Sequence, residues 1–199
     1  MHDILTYRRH RFDALFTLLT GQGTRSLPQI AHLCRDVGLP EPTATIPDMQ
    51  TIIAERVADG DGPFPSEELV FAEMVMEHVA EAGICDTPTV CHWNGKVGNA
   101  KLRITGYALS SDEAALDLFV THYFGTEELN DLRDSDATRT ASEGVRFLFR
   151  AASGQLDAKI DPTHPVRDLV ATIRSRWNDI DRLRVFVITD GRSTVPATD

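Results

Sequence analysis

The chain has 199 residues, a net charge of −10, 42% hydrophobic and 25% charged residues. That is enough for one large domain, or one domain with a smaller helical piece, burying a core without disulfides or structural metal. No apolar run approaches the ~20 residues that span a bilayer, and Met1–Arg9 lacks the apolar stretch and cleavage site of a secretory signal. Three cysteines (Cys34, Cys85, Cys91) at no recognised disulfide spacing fit a reduced, cytoplasmic setting. The charge is uneven: residues 61–150 carry 7 basic against 16 acidic side chains, while residues 1–60 carry 6 against 7. The acidic middle would repel a phosphate backbone, which argues against a free-standing, high-affinity nucleic-acid binder.

In chain order, Ile4, Leu5, Phe12, Leu15, Phe16 and Leu19 lie near one helical stripe that ends at Gly21-Gln22-Gly23. Ser26-Leu27-Pro28 reads as the start of a second helix running to about Val37, and Asp48 as the cap of a third through Val57. Residues 1–60 thus form a small helical segment. The stretch 59–65, with its clustered glycine and proline, is the expected boundary. Residues 27–50 superficially resemble a helix-turn-helix. The would-be recognition segment 43–50 has a mid-segment proline and no basic residue, so a cap or dimerisation element is the better reading.

Ser66 is expected to cap a helix over 67–82 that stops at Gly83. Its apolar girth suggests packing on a sheet. Residues 101–109 and 116–124 read as strands joined by the polar link 110–115, a hairpin turn. In the second strand Leu116, Leu118 and Val120 share one face, and Asp117, Phe119 and Thr121 the other. Helices follow at about 140–152 and 165–177. Residues 183–189 form a short, nearly continuous apolar strand of the kind buried within a sheet. The polar tail 192–199 after it points to a piece of a longer protein.

These elements carry a resemblance. Residues 71–84 (Phe71-Ala-Glu-Met-Val-Met-Glu-His-Val-Ala-Glu-Ala-Gly-Ile84), the Gly106-Tyr107 step within 102–109, the segment Ala115-Leu-Asp-Leu-Phe-Val-Thr-His-Tyr-Phe124 and the strand within 182–191 occur here in order. Together they resemble the N-terminal part of the abortive-infection phage-resistance (AIPR) family over about residues 67–191; the first 60 residues add nothing to the match. The resemblance implies a role in bacterial phage defence. It also implies an α/β (α+β) fold in residues 66–191: a restriction-endonuclease-like mixed sheet flanked by helices, preceded by the small helical segment.

Nucleases of that fold hold Mg²⁺ with an acidic residue late in one strand and an acid or glutamine on the next, where a lysine helps activate water. Here the first strand offers Thr105-Gly106-Tyr107 and the second Val120-Thr121-His122. The only lysines are Lys96, Lys101 and Lys159. The scaffold therefore reads as one that has lost its catalytic set. Glu73, Glu77 and Glu81 share a helical face; a solvated face is the plainer reading, and Glu77 or Glu73 is the candidate helix acid. Asp117, in an otherwise apolar strand, needs a partner. It is either a metal ligand with Glu77 and Glu73, a solvent-facing residue, or half of an ion pair with an arginine such as Arg103. Cys85, Cys91 and His92 are expected to cluster in a loop but lack a fourth ligand and the usual zinc spacing. No nucleophile elbow, P-loop or dinucleotide fingerprint is present.

Three functions follow. The leading one is an interaction or regulatory module that contacts a protein partner, the rest of its own chain or a second copy. The second is a divergent Mg²⁺-dependent nuclease using Glu77 and Asp117. The third is a nucleic-acid-binding pseudo-nuclease, for which Arg103, Arg133, Arg146 and Arg150 would have to share one face.

Overall fold

A computed structural model describes residues 46–58, 66–126 and 128–193. The helices expected before residue 40, most of the helix-turn-helix-like segment, the 59–65 boundary, Cys34 and the tail after 193 lie outside the described residues. The first described helix, α1 (Ile46–Ala58), is followed by α2 (Glu67–Glu81), β1 (Pro88–Val97), β2 (Ala100–Leu109) and β3 (Ala115–His122). Then come the two-residue β4 (Asp131–Leu132), α3 (Asp134–Ala152), α4 (Val166–Arg176), β5 (Arg182–Thr189) and the two-residue β6 (Arg192–Ser193).

The result is an α+β fold: a four-stranded mixed sheet of order β1-β2-β3-β5 flanked by helices. β1–β2 and β2–β3 pair antiparallel, and β3–β5 pair parallel, from Ala115↔Arg182 to His122↔Thr189. The parallel pairing requires a crossover, which α3 and α4 supply. β4 and β6 form a separate parallel pair, Asp131↔Arg192 and Leu132↔Ser193.

The core is divided by the sheet. On one face Leu102, Ile104, Leu116 and Leu118 pack with Phe147, Leu148 and Ala151 of α3 and with Leu169, Val170 and Ile173 of α4. On the other, Ala108, Phe119 and Ile188 meet Ala72 and Met76 of α2. The far side of α2 presents Val70 and Phe71 to Ile53 of α1, which is fully buried. β3 is therefore covered on both sides, and Leu116 through Thr121 are all buried. Gly144 lets α3 lie directly on β3: a Cβ there would come within 2.6 Å of Val120 Cγ2.

The ends of α2 follow from local chemistry. The Ser66 carbonyl accepts the N–H groups of Leu69 and Val70 (3.0 and 3.2 Å), while its side chain makes no cap bond. At the other end Gly83 adopts φ +69°, and the Ile84 N–H reaches back to the Val79 carbonyl at 3.1 Å, a Schellman closure. The β2–β3 link is the expected tight connection. Ser110 and Ala115 bond through their backbones (2.9 Å), and Asp112 accepts from the Ser110 hydroxyl and the Ala114 N–H.

Three expectations need correction. The segment holding Cys91 and His92 is not a loop: both lie in β1, whose mixed polar and apolar residues and flanking Pro88 hid the strand. β5 does not run inside the sheet but forms its edge, and most of it is only half-buried. The helix expected from residue 140 begins at Asp134, six residues earlier, because its polar first turns bury little. Among the described residues no helix is long and apolar enough to cross a membrane.

Candidate functional site

β3 carries two polar stations on its way through the core. The first is Asp117, 3% exposed. Parallel register sets it opposite Arg184 of β5, and the guanidinium grips it bidentately, Nε to Oδ1 at 2.7 Å and Nη2 to Oδ2 at 2.6 Å. Nη2 also donates to the Ile84 carbonyl at 2.7 Å, and the guanidinium lies 5.1 Å from the centre of the Phe186 ring. The hydrogen bond to Asp117 raises the Arg184 pKa further. Nearby Cys85 has its thiol pushed up by burial and by the Asp117 charge, with Arg184 opposing. A fork–fork pair of this kind satisfies the carboxylate by itself. The partner of Asp117 is thus Arg184, not Arg103.

Glu77 is exposed on α2, and Glu73 is half-buried, 3.9 Å from Arg56. Burial and the neighbouring Glu77 raise the Glu73 pKa, and Arg56 lowers it. Glu73, Glu77 and Asp117 are not gathered into one ligand set: among the described residues no group of three or more His, Cys, Asp or Glu side chains is placed to hold a metal ion. Cys91 points into the core, where burial pushes its pKa up to about 12.

The second station lies at the other end of β3, where β2 and β3 part. Their backbone pairing runs from Leu109↔Leu116 only as far as Gly106↔Phe119. Beyond it the Thr105 hydroxyl takes over and accepts the Thr121 N–H at 3.1 Å. β1 is irregular opposite the same point, its register shifting between Val90 and Trp93. A Cβ at Gly106 would strike Met76 Sδ at 2.6 Å and the Thr89 carbonyl at 2.8 Å, so glycine lets β2 press against α2 there.

Polar groups lie on the elements around this point. Arg103 pairs with Glu68 in the first turn of α2, each side chain about a quarter exposed (24% and 27%). Burial lowers the His92 pKa; Glu68 opposes that shift and Arg103 adds to it. His122 is also lowered by burial, with its Nδ1 3.3 Å from Thr140 Oγ1 and its ring edge-on to Phe124. The Tyr123 hydroxyl donates to Gln50 Oε1 of α1 at 2.8 Å, and its ring lies against Phe71. Asp190 latches the loop after β3 by accepting from the N–H groups of Phe124 and Gly125 (2.8 and 2.9 Å). Gln50, Glu68, Arg184 and Asp190 were not singled out from sequence. Only tertiary placement distinguishes them from ordinary surface polars.

Elsewhere a cleft of about 470 Å³ lies along α4. Its arginines are engaged, Arg174 with the Asp157 carboxylate and Arg167 with the Asp157 and Ile160 carbonyls. Arg103 turns toward α2, whereas Arg146 and Arg150 ride on α3 across the sheet, so the four arginines weighed for nucleic acid do not share a face.

A family model described as the abortive infection phage resistance protein N-terminal domain matches residues 71–199, well over half of the chain. The chain belongs to that family. No curated protein and no solved structure matches it. In this AIPR domain the matched region takes in nearly all of α2, the whole sheet, both crossover helices, Asp117, Arg184, Thr105 and Thr121. Glu68 lies just before it, and α1 with Gln50 lies outside.

Proposed function

We propose that this AIPR N-terminal domain serves its antiphage protein as an interaction or regulatory module built on a nuclease-like scaffold without a catalytic set. Its partner is a protein surface, supplied by the rest of its own chain, by a second copy or by another protein. The element order α2-β1-β2-β3-α3-α4-β5, antiparallel through β3 and then parallel, supports the scaffold reading. One observation carries the loss of catalysis. At the point where such nucleases place strand carboxylates stand Thr105 and Thr121, both fully buried and bonded to each other. Neither hydroxyl can replace an ionised carboxylate as a Mg²⁺ ligand of comparable strength, and Glu68 is held by Arg103. Asp117, the other candidate, is neutralised by Arg184.

The test is cleavage of plasmid DNA, single-stranded DNA and RNA with Mg²⁺ or Mn²⁺, beside Asp117→Ala and Glu77→Ala. The expected result is no cleavage above the metal-only background by any of the three proteins. Cutting by the unmodified chain that both substitutions abolish would establish the divergent-nuclease reading instead.

A further inference from the structure

Along one face of α4 two arginines stand on either side of an alanine. Arg167, Ala171 and Arg174 occupy i, i+4 and i+7, so they share that face, with the arginines about 10 Å apart along the helix axis. All three line the cleft of about 470 Å³, together with Asp157, Val170 and Ser175. Ala171 is exposed, whereas Val170 beside it is buried. A glutamate at this position would reach both arginines, because helix residues three and four apart are neighbours. Alanine leaves the space between them open.

The turn after α3 holds both guanidiniums in place. Gly154 adopts φ +73°, and a Cβ there would come within 3.2 Å of Arg174 Cζ, so glycine lets the arginine lie close against the turn. Arg174 Nη1 donates to the Asp157 carboxylate, and Arg167 Nη1 donates to the Asp157 and Ile160 carbonyls. Each arginine is anchored through one terminal nitrogen, and a guanidinium has further N–H donors beyond it. The hydrogen-bond partners of Arg167 among the described residues are neutral carbonyls. Asp161, whose charge interacts with Arg167, is turned to Thr163 and accepts its N–H and hydroxyl at 2.8 and 2.6 Å. Two fixed cations thus line the cleft beside one carboxylate.

We propose that this cleft docks a glutamate or aspartate side chain of a protein segment, seated over Ala171 between Arg167 and Arg174. One further carboxylate balances the two arginines and Asp157, whereas a phosphate dianion would overshoot beside Asp157. A carboxylate also matches the planar fork of a guanidinium edge. The source is a protein segment because Ala171, Arg174 and Ser175 are exposed along the helix. A site so open does not enclose a small ligand as a small-molecule pocket does, but a segment gains contacts along α4 on either side. The inference deepens the protein-interaction reading above and rests on it only for the source of the carboxylate.

The experiment is fluorescence anisotropy of labelled hexaglutamate titrated with the full chain, with hexaglutamine as the control peptide. Saturable binding of hexaglutamate alone is expected. Arg167→Gln and Arg174→Gln should each weaken it about tenfold or more, as expected for one hydrogen bond between charged groups. Ala171→Leu fills the space, keeps every charge and puts a good helix former at an exposed position. It should leave thermal unfolding unchanged and weaken binding by a similar factor. Arg146→Gln, which removes an exposed charge on α3, should leave binding as it is. No binding by the unmodified chain, full binding by Ala171→Leu, or equal losses at Arg146 and Arg167 would overturn the proposal. Free glutarate binding as tightly as hexaglutamate would overturn the assignment to a protein segment. Nucleic-acid cleavage by a chain that still binds the peptide through Arg167 and Arg174 would count against the functional reading and support this one.

Discussion

Asp117 and Thr121 sit four residues apart on one strand, both buried and polar, yet their surroundings differ in kind. Asp117 has a bidentate partner delivered by strand register, and Arg184 spends its remaining reach on the Ile84 carbonyl. Among the described residues, buried Thr121 Oγ1 and Arg103 Nε have no protein hydrogen-bond partner. The first region is closed and explains itself as structure. The second holds buried polar atoms that the protein itself does not pair. A buried charge in an apolar strand is thus not in itself a sign of chemistry.

The largest effect that would sharpen this contrast is at Arg184. Arg184→Met strands the Asp117 carboxylate and should cost about 3–5 kcal/mol in urea unfolding. Adding Asp117→Leu should recover most of that, because a buried ion pair replaced by apolar residues of similar volume is often close to neutral. A double variant as unstable as the single one would break the account of the pair. Arg103→Met should be far milder, on the order of 1 kcal/mol or less, since Glu68 can turn to water. Equal losses at Arg103 and Arg184 would erase the distinction between the two regions.

The smallest effect is in pH. Burial is the leading cause that holds both His92 and His122 below the ordinary 6.5. Between those lowered values and 6.5 the unfolded chain binds more protons than the folded one. The stability from keeping these rings neutral is therefore fully present above 6.5 and is lost as pH falls through that window. Urea midpoints measured from pH 7.5 downward should decline below 6.5, and His92→Gln should flatten part of the decline. A rise in stability over the same range would contradict the burial assignment.

Much of the fold was legible from periodicity and punctuation. The α2 stripe and Gly83, the alternation in β3 and the apolar run of β5 each report a local rule, and the order of these motifs carried the family. β1 was not legible, because exposed Thr89, Asn94 and Lys96 and half-buried His92 break up its few apolar residues into too polar a run. The edge position of β5 was hidden for another reason: its composition resembles that of a central strand, and strand order is a tertiary fact. At the sites, sequence could say that Asp117 needs a partner but not that register brings Arg184 from 67 positions away. Thr105 and Thr121 were visible as residues standing where carboxylates are wanted. The hydrogen bond from the Thr121 N–H to the Thr105 hydroxyl stands where the β2–β3 pairing ends, which no spacing rule shows.

The central claim is that the carboxylates Glu73, Glu77 and Asp117 are not a metal set and that Asp117 is committed to Arg184. Titration of the isotopically labelled chain with substoichiometric Mn²⁺, read as paramagnetic broadening of backbone amide signals, tests it most directly. The account predicts no site-specific broadening at the amides around Asp117 and Glu77. Strong broadening centred on both residues, lost in Asp117→Asn, would show a metal bound there and contradict it.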